Sequence, residues 1–440
     1  MRGAPGLPDT ARSADTTRLL ASLDPSLTAH HATYGHLPVH RGRLTGAADL
    51  IELIDAAGLR GRGGGWFPTA RKMQAVAGHA KRRRQRPVVI ANGMEGEPAS
   101  HKDALLMTHS PHLVLDGLQL VAQEMDSRDI LLAVPAASPA LATVQAAMLE
   151  RRNANLDARQ PRLLIGPDRY VASEESALAS AAGGGAPLPT FTPRRHESGI
   201  ARQPTLVSNV ETLAQLACIV RYGAQWFRQV GTTASPGTTL VTVSGIVANS
   251  GVLEIALGTA VSNILASVGG TTEPLQACLV GGFGGAWIPG SAAAAGWSHE
   301  QLAAVDGVIG ASVLGVIGPS TCGIAETSRI MWWLASESAG QCGPCRFGLA
   351  AVATSFAQLA AVADPVAAHE RLLRQLGLIP GRGACRHPDG ATRLARSALQ
   401  VFAGEVDHHL RGRCTAPHSR AVLPVPQPGP VPARQPTRGR

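Results

Sequence analysis

Two cysteines three positions apart, Cys342 and Cys345, lie in the stretch Ser336-Glu337-Ser338-Ala339-Gly340-Gln341-Cys342-Gly343-Pro344-Cys345-Arg346. A third, Cys385, closes the loop Gly381-Arg382-Gly383-Ala384-Cys385. Thiolates at such spacing can gather on one iron–sulfur cluster or on one zinc ion. The Gly-Pro dipeptide favours that use over an incidental pairing, because it holds the backbone in a turn where both sulfurs converge. A helical stretch follows the pair.

A second constellation is Arg60-Gly61-Arg62-Gly63-Gly64-Gly65-Trp66-Phe67-Pro68-Thr69-Ala70-Arg71-Lys72. Glycines of this density let backbone N–H groups approach a phosphate, and Arg62 and Lys72 supply positive charge. A purely structural turn is the competing reading. The usual dinucleotide fingerprint is absent: a helical segment, not a strand, precedes the loop, and Trp66 stands at its last glycine. Next, Arg86–Asn92 reads as a buried strand. Asn92, Glu95, Glu97, Lys102 and Asp103 gather past its end, where open α/β sheets commonly bind ligands.

The elements that must position these groups are legible from periodicity. Ala47–Leu59 has helical apolar spacing, as does His112–Gln123, while Asp129–Val134 and Leu163–Pro167 read as strands. Leu240–Gly245 and Gly251–Ile255 are short strands around a turn. Four helical segments fill Glu326–Glu337, Arg346–Ala361, Ala367–Leu376 and Arg393–Leu410. Within 440 residues there is room for two or three domains. No uninterrupted apolar run is long enough to span a bilayer, and Val305–Ile324 reads as buried strand and turn. Seven cysteines without a secretory signal imply thiols or metal ligands in the cytoplasm. The net charge of +9 is concentrated partly in Lys81–Arg86 and in the C-terminal Arg/Pro-rich segment. With no nucleic-acid-binding module beside it, that charge reads as solvated and excludes nucleic acid as the partner. Cys218, in an apolar helical run, reads as a core thiol.

Five stretches, in one order, resemble the NADH-binding flavoprotein subunit (F type) of respiratory complex I, also found in NAD-reducing hydrogenases and NAD-linked formate dehydrogenases. The glycine loop is similar to G-R-G-G-A-G-F-P-T-G-x-K, with Trp66 and Ala70 in place of glycines. Asn92–Pro98 resembles N-A-D-E-x-E-P, and Tyr170–Leu178 resembles Y-I-C-G-E-E-T-A-L. Pro204–Thr212 resembles P-T-x-V-N-N-V-E-T, and Glu337–Arg346 resembles E-S-C-G-x-C-x-P-C-R. The first cysteine of that last motif is Ala339 here.

The resemblance implies an α/β flavin-binding domain, a small β-grasp domain and a C-terminal all-α four-helix iron–sulfur bundle. The expected boundaries are a lead-in over 1–45, the FMN- and nucleotide-binding domain over 46–232 and the β-grasp module over 233–295. A connector over 296–320, the helical domain over 321–412 and a disordered tail over 413–440 complete the chain. FMN and nucleotide would be bound by Gly61, Arg62, Gly63, Gly64, Phe67, Lys72, Asn92, Glu95, Glu97, Tyr170, Glu174, Glu175, Asn209 and Thr212. Cys342, Cys345 and Cys385 would hold a [4Fe–4S] cluster, its fourth position filled by Cys322, by Cys414, by water or by Glu337. No cluster at all is the remaining option. Arg194 and Ala75 stand where the family has aromatics that stack on adenine. NADPH is therefore as open as NADH, since an Arg can meet a 2′-phosphate.

The implied activity is oxidation of NADH or NADPH through FMN, with single electrons leaving through the cluster to a ferredoxin-like or quinone-linked iron–sulfur partner subunit. No side chain need act as acid or base in that reaction. The alternative of a different class is a cofactor-depleted homologue that serves as a structural subunit of a redox complex.

Overall fold

The computed structural model describes residues 17–40, 43–44, 49–191, 197, 199–416 and 418–429. Arg194 lies outside them. The chain begins with α1 (Leu27–Tyr34), a two-residue ribbon β1 (Val39–His40) with β2 (Arg43–Leu44), and α2 (Leu50–Ala57). Helix α2 starts where Asp49 accepts a hydrogen bond from Ile51 N–H and stops at the left-handed Gly58. Residues 47 and 48, which periodicity adds to this helix, lie outside the described residues.

A four-stranded parallel sheet follows. Its elements are α3 (Thr69–Arg83), β3 (Val88–Asn92), α4 (Lys102–His109), α5 (Pro111–Glu124), β4 (Asp129–Pro135), α6 (Leu141–Asn153), β5 (Arg162–Gly166), α7 (Glu175–Ala182), β6 (Thr205–Asn209) and α8 (Val210–Arg228). The strand order is β5-β4-β3-β6, all neighbours parallel. Side chains alternate across the strands. Val89, Ala91, Ile130 and Leu132 face the core shared with α5 and α8. Val88, Ile90, Leu131 and Ala133 face the core shared with α7. A sheet covered on both faces requires such continuous apolar strands. Helices α5 and α8 cross closely at Gly117, where a Cβ would stand 2.1 Å from the Leu213 carbonyl oxygen.

The second sheet is mixed. It comprises β7 (Thr238–Gly245), β8 (Gly251–Ala256), β9 (Ala277–Val280), β10 (Ala286–Pro289) and β11 (Val313–Ile317), with α9 (Val261–Ser267) and α10 (His299–Ala303) between strands. Its order is β10-β9-β11-β7-β8. The expected connector over 296–320 therefore needs correcting, because β11 is the central strand, parallel to β7 and antiparallel to β9. Its five residues are all buried, which explains why an apolar run far from the other strands closes the middle of the sheet.

The remaining helices are α11 (Gly323–Ser336), α12 (Leu349–Ala360), α13 (Pro365–Leu378), α14 (His387–Val401) and α15 (Ala403–Leu410). They share one core through Ile330, Leu334, Val352, Phe356, Leu372, Leu394 and Ala398. In total, fifteen α-helices and two principal sheets are found among the described residues. None of these helices is long and apolar enough to cross a membrane.

The expectation of disorder from 413 onward is also corrected. Leu423 is buried in the helical core, and its N–H donates to Glu326 Oε1 at 2.8 Å. Proline excludes helix but leaves an extended segment free to dock its few apolar side chains. Residues 430–440 lie outside the described residues.

Candidate cofactor cleft

A cleft of about 650 Å³ opens beyond the C-terminal ends of β3 and β6. The chain runs from β3 outward through β4 and β5, then returns to place β6 on β3's other side. Ligands collect at such a reversal because the two loops diverge there.

One wall is the glycine loop. Gly61 N–H donates to the Phe67 carbonyl at 2.9 Å and Arg62 N–H to Thr212 Oγ1 at 2.8 Å, so the loop is tied to the start of α8. Gly63 packs so near Asn209 that a Cβ would meet the Asn209 Cβ at 3.1 Å. Trp66 takes φ 48°, a left-handed conformation that costs a bulky residue energy and suits the glycine of the related motif. It is held by its indole N–H, which donates to the Gly310 carbonyl at 3.1 Å, and by the Arg62 guanidinium 4.5 Å from its ring centroid. Phe67 is 55 % exposed and lines the cleft, leaving an aromatic face open to a ligand.

Of the anticipated residues, Gly61, Gly63, Gly64, Phe67, Lys72, Asn92, Glu97, Tyr170, Glu174, Glu175, Asn209 and Thr212 line this one cleft, together with Cys385. Arg62 and Glu95 do not. The Arg62 side chain is buried under the loop, donating to the Thr238 carbonyl at 3.1 Å. Glu95 accepts from Asp103 N–H and Ala104 N–H, both at 3.0 Å, and from the Ser100 hydroxyl. That is a capping role at the start of α4.

Several cleft residues are occupied with building it. Asn92 donates to the Ser173 carbonyl and accepts from Met94 N–H. Asn209 caps α8 through Glu211 N–H and donates to Asp103. Glu174 caps α7 by accepting from Ser176 and Ala177 N–H groups. Lys72 forms an ion pair with Glu175.

The opposite wall comes from the far end of the chain: Cys385, Arg386, His387, Asp389, Gly390 and Arg393, with Gly281, Gly284 and Gly310 from the second sheet. Apart from Cys385, periodicity and motif matching did not single out these residues. The only local signals were the adjacency of Arg386 and His387 to Cys385 and the run Gly281-Gly282-Phe283-Gly284-Gly285. His387 is buried; its Nε2 donates to the Leu334 carbonyl at 2.9 Å, leaving Nδ1 without a partner. Burial pushes this imidazole down to about 4, so it is neutral.

Near Cys385 stand the paired cysteines. Cys345 is buried in the π-helical turn Pro344–Gly348, close to Cys342. Burial pushes Cys345 up to about 12, with Cys342 and Cys385 adding to the shift through charge. Three thiols in one neighbourhood would suit an iron–sulfur cluster. Cys322 and Cys414 cannot complete it. Cys322 caps the N-terminus of α11, whereas the motif follows its C-terminus, and 14 residues of helix span about 21 Å. Glu337 is at the correct end but accepts from Arg169 Nε and Tyr170 N–H. Cys218 is fully buried in the first core, as its sequence context implied.

Flavin also fits the cleft. The volume lies within the usual range for small-molecule sites. The Thr69 hydroxyl, at the N-terminus of α3, is buried without a partner and lines the cleft. A phosphate there would meet the helix N-terminus.

Glu97 carries a pH dependence. Its carboxylate accepts from Phe283 N–H at 2.8 Å and Ala99 N–H at 3.3 Å, yet burial pushes it from 4.5 up to about 7. Its protonated form is therefore the one folding favours. That contribution is complete below pH 4.5 and is lost as pH rises through about 7, amounting to roughly 3 kcal/mol. Chemical denaturation of Glu97→Gln should show a shallower fall in stability between pH 5 and 8 than the parent. An equally steep fall would assign it elsewhere; Glu254, raised to about 7 by burial, contributes with the same sign.

Comparison with known proteins places this geometry. The family profile described as the Nuo51 FMN-binding domain matches residues 54–218, and the NADH-ubiquinone oxidoreductase-F iron-sulfur binding region matches 325–409. The chain belongs to this family of FMN and iron–sulfur flavoprotein subunits. The F 2 subunit of the NADH-quinone oxidoreductase of Rhizobium meliloti (strain 1021) is 29% identical over 379 residues, covering 83% of this chain and 89% of the relative. NADP-reducing hydrogenase subunit HndC of Solidesulfovibrio fructosivorans is 25% identical over 430 residues, covering 92% and 86%. The crystal structure of an NAD+-reducing [NiFe]-hydrogenase in the H2-reduced state superposes with a TM-score of 0.75 at 29% identity. That match covers 82% of this chain and 62% of the hydrogenase chain, so this family member spans about three fifths of it.

Proposed function

We propose that this chain is an electron-transfer subunit that oxidises NADH or NADPH with bound FMN and passes electrons singly through a cysteine-held iron–sulfur cluster to a redox partner. The observation that carries this reading is the shared cleft. The glycine loop and the polar ends of β3 and β6 form one wall, and the loop of Cys385 forms the other. When bound, the flavin supplies the conversion between two-electron and one-electron chemistry, and the cluster supplies the one-electron exit.

The chain's own residues would bind and orient. Lys72 and the Thr69 end of α3 would neutralise phosphate, and Phe67 would offer a stacking face worth roughly 1–3 kcal/mol. Cys342, Cys345 and Cys385 would hold iron. On this reading the mixed second sheet is the β-grasp module, and the α11–α14 helices are the iron–sulfur bundle. The two cores stay apart while the cleft spans them. Seven cysteines, all free, suit a cytoplasmic setting. Relatives named as subunits of an NADH-quinone oxidoreductase and an NADP-reducing hydrogenase support a partner subunit that accepts or donates electrons.

Anaerobic absorption spectroscopy tests the proposal. Flavin bands should bleach on addition of NADH or NADPH, and the responding nucleotide defines the specificity. Lys72→Ala should weaken FMN binding by about tenfold, near 1.4 kcal/mol. Ala339 motivates a second reading, a cofactor-depleted structural subunit. A protein still colourless after reconstitution with FMN, iron and sulfide would establish that reading and end the first.

A further inference from the structure

Away from the cleft, one set of three metal-ligating atoms among the described residues lies within 4.8 Å of one another: those of Cys322, His409 and Cys414. They come from three separate pieces of chain. Cys322 caps the N-terminus of α11, His409 lies in the last turn of α15, and Cys414 lies in the extended segment that follows. Cys322 and His409 are buried, and Cys414 is half-buried.

The imidazole is already oriented. Its Nδ1 is 2.9 Å from the Leu359 carbonyl oxygen. That oxygen can only accept, so Nδ1 carries the proton and Nε2 presents a bare lone pair. Nε2 lies 3.6 Å from Cys322 Sγ. A tetrahedral zinc with bonds of about 2.3 Å to sulfur and about 2.0–2.1 Å to nitrogen has an S···N edge of about 3.6 Å. A carbonyl that fixes the non-ligating nitrogen is the usual outer support of a metal-bound histidine.

We propose that Cys322, His409 and Cys414 form a structural zinc site, distinct from the iron–sulfur cysteines, that fastens the C-terminal segment to the helical bundle. Two sulfurs and an imidazole select a thiophilic tetrahedral ion over magnesium or calcium. Water completes the coordination. Zinc replaces one proton on each thiol, so two protons leave, and two thiolates balance the ion's charge. Glu405 caps the start of α11 beside the site, accepting from Gly323 N–H at 2.8 Å and from Gln276 Nε2 at 2.7 Å.

The site also explains the order of the segment beyond it. Cys322 N–H donates to Ser419 Oγ at 3.0 Å, and Val422 and Leu423 N–H groups both reach Glu326. These contacts lie on the first turn of α11, next to Cys322. A metal at Cys414 would hold the segment in register for all of them.

The test uses the full chain. Elemental analysis of the purified parent protein should find about one zinc per chain in addition to iron. A background carrying Cys342→Ser, Cys345→Ser and Cys385→Ser removes the competing thiols and is titrated with cobalt(II) without oxygen. One equivalent should give thiolate-to-cobalt charge-transfer absorption that zinc abolishes. Adding Cys414→Ser, on an extended segment where serine is readily accommodated, should weaken binding by more than the roughly 100-fold that loss of an outer-shell group costs. His409→Gln should do the same. Trypsin cleavage after Arg413 and Arg420 should be slowed by zinc and restored by a chelator. Absence of zinc from the parent, or charge-transfer absorption that survives both Cys414→Ser and His409→Gln, would overturn the proposal. So would a Cys322–Cys414 disulfide in place of metal.

Discussion

A Cys345→Ala chain is expected to emerge from anaerobic purification with its iron reduced to background, while Ala339→Cys retains iron longer than the parent on exposure to air. The argument is one of ligand number. Cys342, Cys345 and Cys385 lie near one another, and the remaining position of the related motif is Ala339, whose methyl group offers no donor. Cys322 and Cys414 lie at the other end of α11, so they cannot stand in. A cluster held by three thiolates has no redundancy, and losing one leaves two. Cys345 is also the buried member of the trio, so no external thiol readily replaces it. Ala339 is half-buried and precedes Gly340, whose φ of 65° turns the chain toward Cys342. A cysteine there would enter the same turn. Iron and sulfide per chain and the rate of bleaching in air read both variants. Unchanged iron in Cys345→Ala would remove these cysteines from the electron path and leave a flavin-only subunit. Equal bleaching rates for Ala339→Cys and the parent would show that position 339 does not face the cluster.

The first wall of the cleft was legible in sequence because its chemistry is local. The glycine loop, the Asn92 turn and the Asn209 cap each occupy a few consecutive residues, and each lies where the chain leaves a strand or enters a helix. Motif matching nevertheless assigned Arg62 and Glu95 to the ligand. Residue type does not reveal that one side chain turns beneath the loop and the other caps α4. The opposite wall was hidden, since Arg386, His387 and Arg393 reach the cleft only when α14 of the helical bundle packs against β10 of the second sheet. The same limit applies to β11, whose partners β7 and β9 are more than thirty residues away in sequence. It also applies to Cys322, His409 and Cys414, which have no recognisable spacing and meet only because α11 and α15 begin and end together. The Pro-rich tail was misread for a related reason. Composition reports the absence of helix and sheet, not the few apolar side chains that dock.

Glu211→Ala is expected to destabilise the chain by about 3–5 kcal/mol, the usual effect of removing one partner from a buried ion pair. Glu211 is fully buried at the start of α8. One carboxylate oxygen lies 2.9 Å from Lys102 Nζ; the other accepts from Thr239 Oγ1 at 2.8 Å and Leu240 N–H at 3.1 Å. Arg62 Nε is 3.7 Å away, and Lys102 also meets Asp103 at 2.7 Å. Two cations and two carboxylates thus balance in a volume without exposure to water. Deleting Glu211 leaves one buried positive charge uncompensated and two donors on β7 unpaired, which joins electrostatic cost to lost hydrogen bonds. The network also ties the parallel sheet to the second sheet, because Lys102 begins α4 and Thr239 belongs to β7. Thr212, the anchor of the glycine loop, is the next residue of α8, so flavin retention should fall together with stability. Lys102→Met/Glu211→Leu restores the charge balance and should recover much of the loss, giving a large coupling energy in a double-mutant cycle. A cost below about 1 kcal/mol for Glu211→Ala would mean that water enters and solvates the remaining cations. In that case the contact between the sheets would rest on apolar packing, and the loop's position would not depend on this network.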